Sequence, residues 1–360
     1  MRAAVVSFTG RGSRLNRKIV EILKSRGWDC EGWTREKFAV SGLNIMEGTL
    51  ADWTGKNFPE ADALIFVGAC GIAVRAVAPW VKDKFQDPAV VAADEGGQFV
   101  ISLLSGHAGG ANRLTRELAA ALGAVPVITT ATDVNGRFAV DVFAAENGCA
   151  ISSRDLAKQL SADILEGKRV FISSDFPVEG EFPPEVSAGE EKEHGRDSEE
   201  FSSVSVRITW SDQEEEQVLR LIPRRAVLGM GCRRGVSKEV LEREAEAALR
   251  AAGVDRRAVR AIASADLKQK EEGLLSLAEE WGVPFLTYSA EEMNRIPGTF
   301  SSSEFVKHTA GVDCVCERAA MAAVLENGAG GRLLAGKRKG DQTTAALAAE
   351  EIIIHTGEQK

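Results

Sequence analysis

Residues 100–122, VISLLSGHAGGANRLTRELAAAL, constrain the fold more than any other stretch of the chain. Val100, Ile101, Leu103 and Leu104 form a short apolar run, the pattern of a strand covered on both faces. Ser105, Gly106, His107, Ala108, Gly109 and Gly110 follow as a turn, with Asn112 just beyond it. Leu114, Leu118, Ala121 and Leu122 then recur at helical spacing, while Arg113, Arg116 and Glu117 occupy the other face. Strand, glycine turn and helix in direct succession make the repeating unit of an α/β sheet. A helix start also carries N–H groups that can meet an anion. The plain alternative is a tight turn in which His107 is merely packed or solvated.

The same unit appears repeatedly. An apolar strand at 3–8 leads through Thr9, Gly10 and Gly12 to a helix carrying Leu15, Ile19, Ile22 and Leu23. A strand at 63–67 runs into Gly68 and Gly71, then a helix with Arg75 that stops at Pro79. Strands at 90–93 and 98–104 flank Asp94, Glu95, Gly96 and Gly97, which read as a hairpin turn. A strand at 125–128 leads to Thr129, Thr130 and Asp133. Alternating strands and helices predict a mainly parallel sheet, whose ligands bind beyond the carboxyl ends of the strands. On that rule Gly68, Gly71, Ser105, Gly106, Gly109, Gly110, Asn112, Thr129 and Thr130 are expected to share one cleft.

At 360 residues the chain has room for two or three domains, and 44% hydrophobic residues suffice for their cores. The boundaries read as 1–134, 135–223 and 224–360. The central region is the least regular, and 179–203, rich in Glu, Gly, Ser and Pro, is expected to be a mobile surface excursion. Pro223 marks the next boundary. A strand at 226–228 leads into a loop containing Gly229, Gly231, Arg233 and Gly235. Further strand and helix pairs follow, with Lys268 after one strand. Asp341 reads as the N-cap of a final alanine-rich helix. The chain is therefore expected to be α/β and multi-domain, with mainly parallel sheets flanked by helices in its N-terminal and C-terminal domains.

A net charge of −9 argues against non-specific binding to nucleic acid or anionic membrane. The N-terminus turns glycine-rich and charged too early for a signal peptide, and no apolar run reaches the ~20 residues of a membrane span. Six scattered cysteines without a CxxC pair read as reduced, mostly buried thiols in a cytoplasmic protein. Four histidines in no ligand pattern make a protein-held metal unexpected. No Gly-x-Ser-x-Gly elbow supports a serine hydrolase, and no phosphate loop is present. The spacing of Gly229, Gly231 and Gly235 matches a dinucleotide fingerprint imperfectly, which leaves an oxidoreductase as a remote alternative.

Several of these stretches carry a family resemblance. The run from GACGIAVRAV through SGHAGGAN to TTATD closely resembles the N-terminal and central region of the CbiG family. AVLGMGCRRGVSKEV, SSSEFVKHTAGVDCVCERAAM and GKRKGDQTTAALA resemble its C-terminal, CobE-like domain. The family activity is that of a cobalt-precorrin 5A hydrolase of anaerobic cobalamin (vitamin B12) biosynthesis. The resemblance implies a cobalt-bearing tetrapyrrole substrate whose lactone is opened by water, with acetaldehyde released to give cobalt-precorrin 5B. Such a hydrolase acts on a carbon–carbon bond of a ketonic-type substrate. No cofactor is expected, because the substrate carries the cobalt. A transient handover to other enzymes of the pathway is expected, and a non-catalytic carrier of the same macrocycle is the main alternative.

On that implied chemistry His107 is expected to be the base, with Gly109 and Gly110 N–H groups stabilising the oxyanion. Asp94 or Glu95 is expected to orient His107 or to replace it, and Asp133 to serve later proton transfers. Arg75, Arg113, Arg233 and Lys268, with the glycine turns and Gly231, are expected to hold substrate carboxylates. A ring of that size needs a wide cleft, which two α/β domains are expected to supply.

Overall fold

The computed structural model describes residues 1–83, 86–107, 109–130, 137–189, 200–326, 328 and 330–356. The chain divides into two compact units, Met1–Val142 and Phe143–Lys360.

In the first unit the order is β1 (Arg2–Ser7), α1 (Gly10–Ser25), β2 (Asp29–Thr34), β3 (Asn44–Ile45), α2 (Leu50–Asn57) and β4 (Ala63–Val67). There follow α3 (Cys70–Val77), β5 (Ala89–Ala93), β6 (Phe99–Leu104), α4 (Ala111–Leu122), β7 (Val125–Val127) and the start of α5 (Val140–Glu146). The sheet order is β3-β2-β1-β4-β5-β6-β7. Successive strand residues point to opposite faces. Val5, Ile65 and Val91 therefore pack with Ile19, Leu114 and Leu118 of α1 and α4. Val6, Phe66 and Val90 pack on the other side with Trp53, Ala73 and Val77 of α2 and α3. Burial on both faces is why these strands read as unbroken apolar runs.

The direction of the strands overturns one expectation. β1 to β5 are parallel, but β6 pairs antiparallel with β5, and β7 runs parallel to β6. The short turn from Asp94 to Gln98 permits only an antiparallel return, since a parallel crossover needs a dozen or more residues. Leu104 consequently pairs with Val90 and Val100 with Ala93. The carboxyl ends of β6 and β7 lie where β4 and β5 begin. The expected single cleft is two separate edges. One holds Thr9, Gly68, Gly71 and Asp94 to Gly97. The other holds Ser105, Gly106, His107 and Gly109 to Asn112 with Thr129 and Thr130.

In the second unit, β8 (Cys149–Ile151), α6 (Arg154–Leu165), β9 (Val170–Ser174), β10 (Val178–Glu179), β11 (Val186–Ala188), β12 (Ser205–Ile208) and β13 (Val218–Pro223) come first. Their main sheet has the order β11-β9-β12-β13-β8, with β8 antiparallel to β13 and the other pairs parallel. The expected excursion at 179–203 is thus partly ordered structure: β11 adds a strand to β9, and Phe201 pairs with Arg169. Residues 190–199, with His194, lie outside the described residues.

Then come β14 (Ala226–Cys232), α7 (Lys238–Ala252), β15 (Val259–Ala265), α8 (Glu272–Trp281), β16 (Phe285–Tyr288), α9 (Ala290–Arg295), α10 (Glu304–Ala310) and α11 (Val315–Leu325). β17 (Gly331–Lys339), β18 (Thr343–Glu350) and β19 (Ile354–His355) close the chain. The sheet order is β16-β15-β14-β18-β17, and β10 pairs with β19. The expected alanine-rich helix is instead β18, antiparallel to both β14 and β17. Ala345, Leu347 and Ala349 pack with the α7 side of the core, and Ala348 with the α11 side. Small side chains there let helices approach both faces, and that packing overrides alanine's helix propensity.

Candidate active site

The edge at Ser105 is built by a turn that folds back on the start of α4. Gly110 N–H donates to the His107 carbonyl (2.9 Å), Ala111 N–H to Ser105 (3.1 Å) and Asn112 N–H to Gly106 (2.9 Å). The Gly110 amide is therefore committed to the turn and is not the expected oxyanion donor. Two glycines are required by close approach. A Cβ on Gly109 would stand 2.4 Å from Ser105 Cβ and 3.2 Å from the Asp87 carbonyl, and one on Gly106 2.7 Å from Asn112 Oδ1. Gly110 adopts φ +80 as the N-cap of α4, a conformation that glycine takes without strain. Asn112, itself buried, donates from Nδ2 to Thr130 Oγ1 at 3.0 Å, which joins the start of α4 to the segment after β7.

Ser105 is the strained member. Its φ is +56, uncommon for a residue with a side chain, and its buried Oγ has no hydrogen-bond partner. Two positions on, His107 Nδ1 lies 3.2 and 3.3 Å from the two carboxylate oxygens of Asp141. Both side chains are nearly buried, at 12% and 14% exposure. Asp141 stands in the first turn of α5, where its Oδ1 also accepts the Val142 N–H (3.0 Å). An ionised carboxylate only accepts hydrogen bonds, so a neutral imidazole facing it donates from Nδ1.

Asp94 and Glu95 do not orient His107. Asp94 Oδ1 accepts the N–H groups of Gln98 (2.7 Å) and Phe99 (2.6 Å), and its Oδ2 that of Gly96 (2.9 Å). Glu95 accepts the Thr9 hydroxyl at 2.6 Å, on the same edge. The length of β5, roughly 16 Å for a five-residue strand, separates that edge from His107. Gly68 donates its N–H to Ala93, and Arg75 bonds the carbonyl of Gly71 in its own helix (3.2 Å). Arg113 lies 3.8 Å from Glu117 on the exposed face of α4. Asp133 lies outside the described residues. Asp141 is the residue that sequence reasoning missed. Its one signal is an acid inside the apolar run Val140-Asp141-Val142-Phe143, because a carboxylate drawn out of water in such a run needs a partner.

The second unit carries a separate cluster. Gly229 and Gly231 belong to β14 itself, not to a loop. A Cβ on Gly229 would fall 1.8 Å from the Cys316 carbonyl of α11, and one on Gly231 2.7 Å from Thr344 Oγ1. These glycines admit a helix and a neighbouring strand, which removes the motive for a dinucleotide reading. Beyond β14, Arg233 N–H donates to Gln342 (2.9 Å). Glu271 accepts both Lys268 Nζ (2.8 Å) and Gly235 N–H (2.6 Å). Burial pushes the Glu271 carboxyl up, but these two donors outweigh it and hold it below the usual range. Lys268 is therefore an ion-paired cation, and a carboxylate ligand must compete with Glu271 for it. Burial, partly offset by Lys268, pushes the Cys232 thiol up to about 11, so it stays protonated at neutral pH. A cavity of about 410 Å³ opens beside Arg234, Lys238 and Lys270. All six cysteines are free thiols; Cys30, Cys314 and Cys316 are buried, while Cys70, Cys149 and Cys232 are only partly so. Among the described residues no helix is long and apolar enough to cross a membrane.

Fold and site together define a multi-domain α/β protein with an acid-backed imidazole at one sheet edge. Family models agree on what kind: Cobalamin synthesis G N-terminal matches residues 52–133, Cobalamin biosynthesis central region 138–223, and Cobalamin synthesis G C-terminus 226–348. The chain belongs to the CbiG family of cobalamin synthesis proteins. It is 41% identical over 295 residues to the cobalt-precorrin-5A hydrolase of Salmonella typhimurium, covering 80% of this chain and 83% of that one. It is 32% identical over 351 residues to the cobalt-precorrin-5A hydrolase of Priestia megaterium, covering 94% and 93%. Among solved structures, CobE, a protein from the cobalamin (vitamin B12) biosynthetic pathway, is 33% identical over 36% of this chain and 92% of its own, with a TM-score of 0.34.

Proposed function

We propose that this protein is a cobalt-precorrin-5A hydrolase, opening the substrate's lactone and releasing acetaldehyde to give cobalt-precorrin 5B. The observation that carries the reading on this chain is the His107–Asp141 pair at 3.2 Å, within a family whose named relatives are hydrolases of that substrate. His107 Nε2 takes a proton from water, and the oxygen of that water adds to the lactone carbonyl. The ester C–O bond then breaks, leaving a carboxylate and a hydroxyl on the C20 carbon. Loss of the hydroxyl proton lets the bond between C20 and the macrocycle break. The oxygen's electrons form the aldehyde carbonyl, and the bonding pair passes to the ring.

The glycine turn beside His107, at Gly106, Gly109 and Gly110, is proposed to hold a carboxylate of the substrate. The cobalt enters with the substrate, and the reaction as written needs no other cofactor. A cytoplasmic setting and a transient handover of the product to other cobalamin-pathway enzymes complete the proposal.

The test is anaerobic incubation of the purified protein with cobalt-precorrin-5A, following acetaldehyde and the mass of the macrocycle together. Both changes, faster than without protein, are expected. A macrocycle that is bound but left intact would make the protein a carrier.

A further inference from the structure

We infer that Cys314 and Cys316 are a dithiol that closes reversibly into an intramolecular disulfide when a small-molecule disulfide such as oxidised glutathione is present. The inference is independent of the hydrolase reading and concerns a side-chain pair that the proposed chemistry does not use.

Three features of the geometry carry it. First, the two Sγ atoms lie 3.6 Å apart, in van der Waals contact. Residues two apart in sequence cannot exceed about 7 Å between Cα atoms. Val315, already helical, shortens that span into the roughly 4.4–6.8 Å that a disulfide bridges. Second, the backbone that presents the sulfurs is fixed. Cys314 is the N-cap of α11, and the Cys316 carbonyl packs so closely on Gly229 of β14 that a Cβ there has no room. Glu317, the next residue, accepts the N–H groups of Lys337 (2.7 Å) and Ser301 (2.6 Å). The bond therefore needs rotation of two short side chains, not movement of the helix. Third, both thiols are fully buried, with Ala346 and Phe300 packed against them. A sulfur that reacts there meets its neighbour before any outside thiol.

The order of attack follows from the electrostatics. A helix N-terminus favours a thiolate. The hydrogen bond from Cys314 holds the Cys316 thiol below its ordinary range against burial, helped by the Thr344 hydroxyl. The same bond, with burial, pushes the Cys314 thiol up. Phe300 lies in the stretch between α9 and α10 that has no helix or strand, and local opening there admits the oxidant. The Cys316 thiolate attacks one sulfur of the glutathione disulfide, whose S–S bond breaks to release one glutathione thiolate. Cys314 gives up its proton and its sulfur attacks that of Cys316, expelling the second glutathione. Two electrons pass from the protein pair to the oxidant, and the two thiol protons end on two glutathione molecules. A ring closed across one intervening residue is strained, so a reductant reopens it.

The test uses the full chain, equilibrated without oxygen in mixtures of reduced and oxidised glutathione, then quenched, unfolded and labelled with N-ethylmaleimide before peptide mass analysis. In excess oxidised glutathione the peptide carrying both residues is expected to lose two hydrogen atoms and all labelling, and excess dithiothreitol to restore both. Cys314→Ser is expected to stop at a mixed disulfide of glutathione on Cys316, and Cys316→Ser to leave Cys314 a thiol. Full labelling of the native peptide at every glutathione ratio would overturn the inference. So would a lasting glutathione adduct on the native protein, or either residue bridged to a different cysteine. The native protein decides the matter even if neither variant folds. An adduct on Cys314 in C316S with none on Cys316 in C314S would overturn the assignment of Cys316 as the attacking sulfur.

Discussion

The two edges of the N-terminal sheet carry similar chemistry in sequence and different chemistry in space. At one, Asp94 and Glu95 follow a strand and precede two glycines; at the other, His107 sits among glycines before a helix. The first edge spends its carboxylates on its own backbone: Asp94 closes the hairpin with three N–H groups, and Glu95 takes the Thr9 hydroxyl. The second edge leaves functional groups in reserve, with a strained Ser105 whose hydroxyl is unmatched and an imidazole backed by Asp141. An acid next to a glycine turn is structural when nearby amides fill its lone pairs. It is chemical when its partner is itself a titratable group.

Glycine substitutions should break this comparison most sharply. Gly109→Ala places a Cβ 2.4 Å from Ser105 Cβ and 3.0 Å from the Ser105 carbonyl, so the turn must open. Overpacking of that kind is expected to cost about 1–3 kcal/mol in urea unfolding and to abolish turnover. Gly71→Ala, on the opposite edge, meets only the flexible end of Arg75 at 3.3 Å. It is expected to be neutral or to stabilise α3 by about 0.5 kcal/mol. Next in size, Asp94→Ala removes the acceptor of three hairpin N–H groups. A loss of about 1–2 kcal/mol is expected in the same unfolding assay, with turnover per folded molecule unchanged. At the His107 edge one substitution is expected to stabilise the protein. Ser105→Gly relieves the positive φ and deletes an unmatched hydroxyl, for a gain of about 1 kcal/mol in urea unfolding. Turnover is expected to fall severalfold, because strain kept at a site of this kind is maintained for function.

Much of the architecture was legible in residue order. The apolar runs of β1, β4 and β5 and the repeated strand, turn and helix units appear where periodicity places them. The error over the shared cleft was avoidable, because the hairpin at Glu95 to Gly97 already implies that β6 turns back. What hid β18 was composition. Ala345, Ala346, Ala348 and Ala349 suit a helix locally, and only the helices packed against that sheet make them a strand. The glycines of β14 mislead for a similar reason, since a glycine that admits a helix backbone looks like one that cradles a phosphate. Asp141 was beyond reach because 34 residues separate it from His107, and nothing local shows which buried acid meets which ring.

The most direct test of the central claim sets the two edges against each other. Acetaldehyde release from cobalt-precorrin-5A would be measured for His107→Gln and Glu95→Gln side by side, each checked for native folding. The account predicts a loss of about 10²–10⁴-fold for His107→Gln and near-native turnover for Glu95→Gln. Full turnover by His107→Gln together with an inactive Glu95→Gln would contradict it and move the chemistry to the opposite edge of the sheet.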